Sequence, residues 1–208
     1  AENGILIKDA ESLELAKKVN AIILDKTGTI TEGRSELTDV KWLNDEETGQ
    51  QILFSIEKRS EHPLAEAVVK HLSTMTAVPL SSFESITGKG AKATFENESY
   101  WVGNKKLMEE NKIAIANELQ QKADKWSTQA KTISWFANSK NTLAVLAISD
   151  KIKETSTLAI QQMQQMGISL YMLTGDNEAT AKAIAKQTSI QHYKSEMLPQ
   201  QKADFVKE

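Results

Sequence analysis

Apolar and polar positions follow three different rhythms along this chain. The first is a short, almost unbroken apolar run that ends at a carboxylate or a glycine: Ala21-Ile22-Ile23-Leu24 before Asp25, and 168–173 before Thr174-Gly175-Asp176-Asn177. Runs of this length predict strands buried on both faces of a parallel sheet. The second rhythm is alternation. Ala91-Lys92-Ala93-Thr94-Phe95 and Tyr100-Trp101-Val102 flank a short turn and predict a hairpin. A second hairpin is predicted from 132–137 and 142–148, joined through Ser139-Lys140-Asn141. The third rhythm is helical, over 51–58, over 64–72 with Pro63 at its first position, and over 114–127 with Leu119, Ala123 and Trp126 on one side. Further helices are predicted over 155–166 (Leu158, Ala159, Met163 and Met166 inward, Gly167 closing it), over 177–188, and from Pro199. A helix over 9–18, capped by Asp9 with Leu13 and Val19 inward, precedes the first strand, and a short strand over 190–193 follows the helix over 177–188.

These rhythms are segregated. Residues 1–33 and 149–208 carry the parallel-sheet pattern, whereas 34–148 reads as an α+β unit of antiparallel strands with helices on one face. The prediction is a doubly wound α/β domain interrupted by an inserted domain. At 208 residues the chain has room for one large domain or two small ones. A net charge of −3 gives no support for a nucleic-acid partner or a basic membrane-binding patch. With no Cys there is neither a disulfide framework nor a thiolate metal site, and no apolar stretch approaches the roughly 18 residues that span a bilayer. No signal-peptide pattern, repeat or low-complexity segment is present.

The chemistry gathers where the parallel strands end, the edge at which open α/β sheets keep ligand sites. In Asp25-Lys26-Thr27-Gly28-Thr29, Gly28 allows a sharp turn that turns the N–H groups and hydroxyls of Thr27 and Thr29 toward a phosphate, and Asp25 is the nucleophile. Thr174-Gly175-Asp176-Asn177 repeats the pattern at a helix N-terminus, where an anion is favoured, although a plain strand-to-helix turn explains it almost as well. The methionines Met163, Met166 and Met172 read as core filler, and His71 and His192 as structural.

Asp25-Lys26-Thr27-Gly28-Thr29-Ile30-Thr31 resembles the phosphorylation motif of P-type ATPases, ion pumps of the haloacid-dehalogenase-like superfamily that cycle through an aspartyl-phosphate. Phosphatases of that superfamily carry a second Asp where this chain has Thr27, so the resemblance implies a long-lived phospho-enzyme rather than rapid hydrolysis. It implies catalytic roles for Asp25, Lys26, Thr27, Thr29, Thr174 and Gly175, with Asp176 on the hinge side facing nucleotide and Lys202 offsetting phosphoryl charge. Mg²⁺ would sit on Asp25 and the Thr27 carbonyl.

Ser60-Glu61-His62-Pro63-Leu64 is similar to the heavy-metal branch of these pumps, where the His lies by the adenine of ATP. The same resemblance places Glu57, Glu61, Gly88, Gly90, Gly103 and Asn104 in the ATP site. A bare Gly88-Lys89-Gly90 is weak by itself, and a lone His is more often a capped surface or core residue. Ala130 stands where the family has Gly.

The Gly4-Ile5-Leu6-Ile7-Lys8-Asp9-Ala10 lead-in is similar to copper pumps more than to zinc or cadmium pumps. The family continues past Lys202 to a Gly-Asp-Gly-x-Asn-Asp segment that holds Mg²⁺, and Glu208 precedes it. The resemblance therefore implies an incomplete phosphorylation domain that binds ATP and turns it over barely above background. This chain would be a soluble region at the cytoplasmic face of an integral membrane protein, whose membrane helices and actuator domain are partners in the same polypeptide and whose transported metal is bound elsewhere. A non-catalytic nucleotide-binding module and a soluble haloacid-dehalogenase-type phosphatase stay open as alternatives.

Overall fold

The computed structural model describes Leu6, residues 9–44 and residues 47–207, with the side chain of Leu13 left aside; most of the Gly4-to-Lys8 lead-in therefore lies outside the described residues. The chain enters through α1 (Ala10–Ala16), whose N-cap Asp9 accepts a hydrogen bond from the Ser12 amide at 2.7 Å. It continues into β1 (Ala21–Asp25) and a tight turn, Lys26–Ile30, before a long strand, β2 (Thr31–Trp42). Two helices, α2 (Glu47–Glu57) and α3 (Pro63–His71), are followed by β3 (Ser82–Ile86), β4 (Gly90–Phe95) and β5 (Glu98–Gly103). Then come α4 (Lys105–Glu110), α5 (Asn117–Ser127), β6 (Thr132–Asn138) and β7 (Thr142–Ile152). The last part comprises α6 (Glu154–Gln165), β8 (Ser169–Leu173), α7 (Glu178–Thr188), β9 (His192–Lys194) and α8 (Pro199–Phe205).

Two sheets result. β1, β8 and β9 form a three-stranded parallel sheet in the order β1-β8-β9, with Asp25 opposite Leu173 and Leu173 opposite Lys194. The strands reach their carboxyl edge level with one another, so Asp25 and Thr174 emerge side by side. Ile160, Leu170, Met172, Ala181, Ile184 and Ile190 fill the core between this sheet and α6 and α7. The other sheet is six-stranded and antiparallel, β2-β7-β6-β5-β4-β3. β2 and β7, at its edge, carry the chain between the two sheets: Thr31 pairs with Ile152 at one end and Trp42 with Ala144 at the other.

The antiparallel sheet is covered on both faces, not on one. Ala144, Leu146 and Ile148 of β7 pack with α2 and α3 around Leu53, Ile56 and Val68. Val145 and Ala147 of the same strand point the opposite way, toward Leu107, Leu119 and Trp126 of α4 and α5. Successive strand residues face opposite sides, so an unbroken apolar run such as 143–148 has to be buried twice. At about 25 cal/mol per Å² of apolar surface, each face contributes on a similar scale to holding this sheet together.

Four inward assignments are corrected. In α6 the buried stripe runs through Ser156, Ile160 and Met163, at i, i+4 and i+7. Leu158, Ala159 and Met166 lie around the cylinder from it and are exposed, Leu158 by 58% and Met166 by 75%. Val19 falls in the connection after α1 rather than on its inner face and is also exposed. Met172, by contrast, is fully buried.

Candidate active site between the two sheets

The Lys26–Ile30 turn is held at both ends by side chains. Gly28 takes φ +75°, a left-handed conformation open to glycine at little cost. Thr31 anchors the turn from behind: its hydroxyl accepts from the Gly28 amide at 3.2 Å and reaches the Lys26 carbonyl at 3.1 Å. The same hydroxyl lies 2.6 Å from Asp150 Oδ2, and Asp150 Oδ1 accepts from the Gly33 amide at 3.0 Å. Lys153 Nζ donates to the Gly28 carbonyl at 2.8 Å. Asp150 and Lys153, from β7 and its exit, therefore clamp the turn that follows Asp25. Sequence reasoning passed over both; the available signal was a carboxylate and two cations directly after a buried strand.

Asp25 and Lys202 meet although 177 residues separate them: the Lys202 ammonium contacts Asp25 Oδ1 directly, on a half-exposed carboxylate. Pro199 at the first position of α8 places Lys202 one turn into that helix. Lys26, next in sequence to Asp25, is buried and pairs with Asp176 Oδ2 at 2.5 Å, while its ammonium donates to Thr132 Oγ1 at 3.0 Å. The Asp176 carboxylate thus turns inward to a lysine. Thr174 is also buried; its hydroxyl accepts from the Asp176 amide and donates to Asp176 Oδ2, both at 3.1 Å. Thr27, Thr29 and Gly175 are exposed at the mouth.

The antiparallel sheet supplies the facing wall. His62 is the N-cap of α3, its Nδ1 accepting the Leu64 amide at 3.2 Å. That bond leaves the hydrogen of the neutral ring on Nε2, facing outward as a donor. Loss of hydration in its surroundings lowers the His62 pKa below the usual histidine value, and the nearby Asp176 carboxylate opposes the shift. The proximity puts His62 on the same cleft as the Lys26–Asp176 pair. Glu57, at the end of α2, is deeply buried, and burial alone raises its pKa from 4.5 to about 7. Glu61 is exposed beside it in sequence.

The glycines divide into two roles. Gly90 and Gly103 oppose one another across β4 and β5, where a Cβ on Gly90 would lie 2.0 Å from the Val102 carbonyl and one on Gly103 2.1 Å from the Lys89 carbonyl. Close backbone approach alone requires both. Gly88 sits at the tip of the preceding turn. Asn104 locks that tip, donating to the Gly88 carbonyl at 3.1 Å while its Oδ1 caps α4 through the Leu107 amide.

The start of α7 also touches the end of α5 and the loop that follows it. Asn177 caps α7 through the Thr180 amide and donates to Ser127 Oγ at 3.1 Å, and the Thr180 hydroxyl donates to the Lys131 carbonyl at 2.8 Å. Ala130 holds φ +63° here, a conformation that costs a non-glycine residue about 1 kcal/mol. His71 is exposed at a cavity it shares with Trp42 and Leu53, and His192, also exposed, stacks on Tyr171 at 5.0 Å.

A parallel sheet with an Asp at its carboxyl edge, and a lysine brought onto it from a later helix, sets a charged pair where open α/β sheets keep their ligand sites. The model of the haloacid dehalogenase-like hydrolases matches residues 19–208, and the chain belongs to that family. Within it, the chain is homologous to copper P-type ATPases. It is 41% identical over 211 residues to the probable copper-exporting P-type ATPase of Archaeoglobus fulgidus, covering 100% of this chain and 26% of that protein. It is 40% identical over 210 residues to the probable copper-importing P-type ATPase A of Enterococcus hirae, covering 99% and 28%. This chain thus spans about a quarter of the length of these relatives. Among solved structures, the catalytic domain of the CPx-ATPase CopB-B superposes with a TM-score of 0.75 at 22% identity, covering 99% of this chain and 72% of that one. A zinc-transporting PIB-type ATPase superposes with a TM-score of 0.60 at 24% identity, covering 99% and 34%. Both likenesses bear on the fold.

Proposed function

We propose that this chain is the ATP-binding and phosphorylation region of a P-type ATPase that couples ATP hydrolysis to transport of copper(I), with residues 34–148 receiving the nucleotide and Asp25 the phosphoryl group. The observation that carries it is the Asp25–Lys202 contact at the edge of the parallel sheet. In this reading the His62 side of the antiparallel sheet faces that contact, which the influence of the Asp176 carboxylate on His62 supports. His62 Nε2–H and the carboxyl of Glu57, its pKa pushed up to about 7 by burial, read the base, with Glu61 and the Gly88 turn assigned to the same site. An oxygen of Asp25 attacks the γ-phosphorus, the bond to the β–γ bridging oxygen breaks, and ADP leaves with that electron pair. Lys202 offsets the charge on the transferring oxygens, while the Lys26–Asp176 pair and the Asp150 clamp hold the backbone of the turn in line. Thr27, having no carboxylate, cannot activate water against the acyl phosphate, so the intermediate persists.

The oxygen donors of the turn fit Mg²⁺: the Asp25 carboxylate and the Thr27 carbonyl would hold it, and Mg²⁺ keeps water and phosphate oxygens in its remaining positions. When bound it supplies charge neutralisation to the phosphates. Among the described residues no group of three acidic or histidine side chains forms a separate metal site, and no helix is long and apolar enough to cross a membrane. The membrane part, the actuator domain and the copper ligands belong to the rest of the polypeptide, with this region at the cytoplasmic face. The copper assignment and its direction rest on relatives that include both an importer and exporters.

The test is a calorimetric titration with ATP, followed by γ-labelled ATP and Mg²⁺ with an acid quench. The expected result is ATP binding, and a trace of acid-stable, hydroxylamine-labile label that disappears in Asp25→Asn. Label that survives in Asp25→Asn removes Asp25 as acceptor.

A further inference from the structure

We propose that Leu198 and Pro199 are positioning residues: they form the seat on which the Gly88 turn of the antiparallel sheet rests, and through it the nucleotide-side loop sets the Lys202–Asp25 pair. The inference rests on the reading of Asp25 as phosphoryl acceptor and deepens it.

The contact is direct. A Cβ placed on Gly88 would lie 2.7 Å from Leu198 Cδ2, the end of a side chain that must then shift, and 3.3 Å from Pro199 Cδ, so a side chain at 88 has to displace Leu198 and press on Pro199. The turn that makes this contact is stiff. The Lys89 amide donates to the Ile86 carbonyl at 2.9 Å, the Asn104 amide to the Lys89 carbonyl at 2.8 Å, and the Asn104 side chain to the Gly88 carbonyl. Lys89 is fastened in addition by an ion pair with Glu110 at 2.6 Å. A tip tied down on every side transmits displacement instead of absorbing it.

The seat is equally well placed to pass it on. Leu198 is the N-cap of α8: its amide donates to Gln201 Oε1 at 2.8 Å, and its carbonyl accepts the Lys202 amide at 3.1 Å. Leu198 and Lys202 are thus one hydrogen-bonded turn apart, and Lys202 ends on Asp25. The neighbouring Met197 amide donates to the Thr174 carbonyl at 3.1 Å, which ties the same corner to the second motif of the site. Movement of the Gly88 turn onto or off its seat therefore shifts the first turn of α8 and the ammonium it carries. Glycine at 88 is the spacer that fixes how near the two surfaces come.

The chain has no Cys, so a single dye pair can be attached at the exposed positions Ser73 and Gln161, one beside each sheet, after Ser73→Cys and Gln161→Cys. Energy transfer is measured without nucleotide. Gly88→Asn is the wedge, since Asn tolerates positive φ and any effect is then steric. Transfer is expected to fall in Gly88→Asn and to recover by at least about half when Leu198→Ala is added, as coupled neighbours require. Leu198→Ala alone is expected to keep ATP affinity within about twofold while label appears on Asp25 several-fold more slowly, and Leu198→Met to restore the rate. Unchanged transfer in Gly88→Asn, or no recovery in the double variant, overturns the contact. Labelling of Leu198→Ala at the parent rate overturns its tie to Lys202. ATP binding and labelling of the parent chain test the functional reading separately, because the dye measurement uses no nucleotide.

Discussion

Single residues in this site carry two duties, and the duties can be separated by choice of substitution. His62 caps α3 through Nδ1 and offers Nε2–H to the cleft. His62→Ala removes both, and ATP affinity should drop by about 1–2 kcal/mol, with about 1 kcal/mol of stability lost with the cap. His62→Asn keeps a capping side chain, so calorimetry should show the affinity loss while the melting temperature stays near that of the parent. Affinity unchanged from the parent in both variants takes His62 out of the base pocket. Glu57 makes a pH prediction whose sign follows from its raised pKa. Its carboxyl is neutral in both states below pH 4.5; above that the unfolded chain ionises first and stability falls until about pH 7. Glu57→Gln should therefore be stabilising at pH 8, by up to about 3 kcal/mol, with the gain gone at pH 4.5. Urea unfolding at the two pH values checks it, and a gain of equal size at both pH values would be wrong for this origin.

At the scale of elements, much of the plan was legible. β1 and β8 stood out because a strand buried on both faces is a continuous apolar run, and Asp25 and Thr174 follow such runs directly. The hairpins were legible from their alternation, and the short Glu96-Asn97 turn between β4 and β5 takes positive φ at both residues, as tight hairpin turns favour. The second helical layer was not legible: Val145 and Ala147 read the same whether a strand has one cover or two. Nor were the clamps on the turn, because Asp150 meets Thr31 and Lys26 meets Asp176 only when chain segments more than a hundred residues apart fold together. Asp150 gives the test at this scale. Its carboxylate ties β2 to β7 and steadies the turn through Thr31, so Asp150→Ala should cost about 2 kcal/mol by leaving the Thr31 hydroxyl and Gly33 amide without that partner. Thermal unfolding measures it; loss below about 0.5 kcal/mol would show the tie to be solvent-replaceable.

For the molecule as a whole, the proposed function would bring an acidic side chain toward a polyphosphate. Asp25 faces it with Lys202 as its only direct cationic contact among the described residues. Like charges about 4 Å apart repel by about 4 kcal/mol at an effective dielectric near 20, of which Lys202 offsets part. Asp25→Asn should therefore bind ATP at least as tightly as the parent, and measurably tighter where the two surfaces close. Calorimetry with both chains decides it, and weaker binding by the variant would make Asp25 a ligand-holding group instead of the attacking one. The antiparallel unit leaves the parallel domain through β2 and returns through β7, and these strands are paired along their length. A nucleotide held on that unit is tethered to Asp25 by two short spans at once. Its terminal phosphate is presented at an effective concentration fixed by hinge geometry, independent of how dilute the protein is.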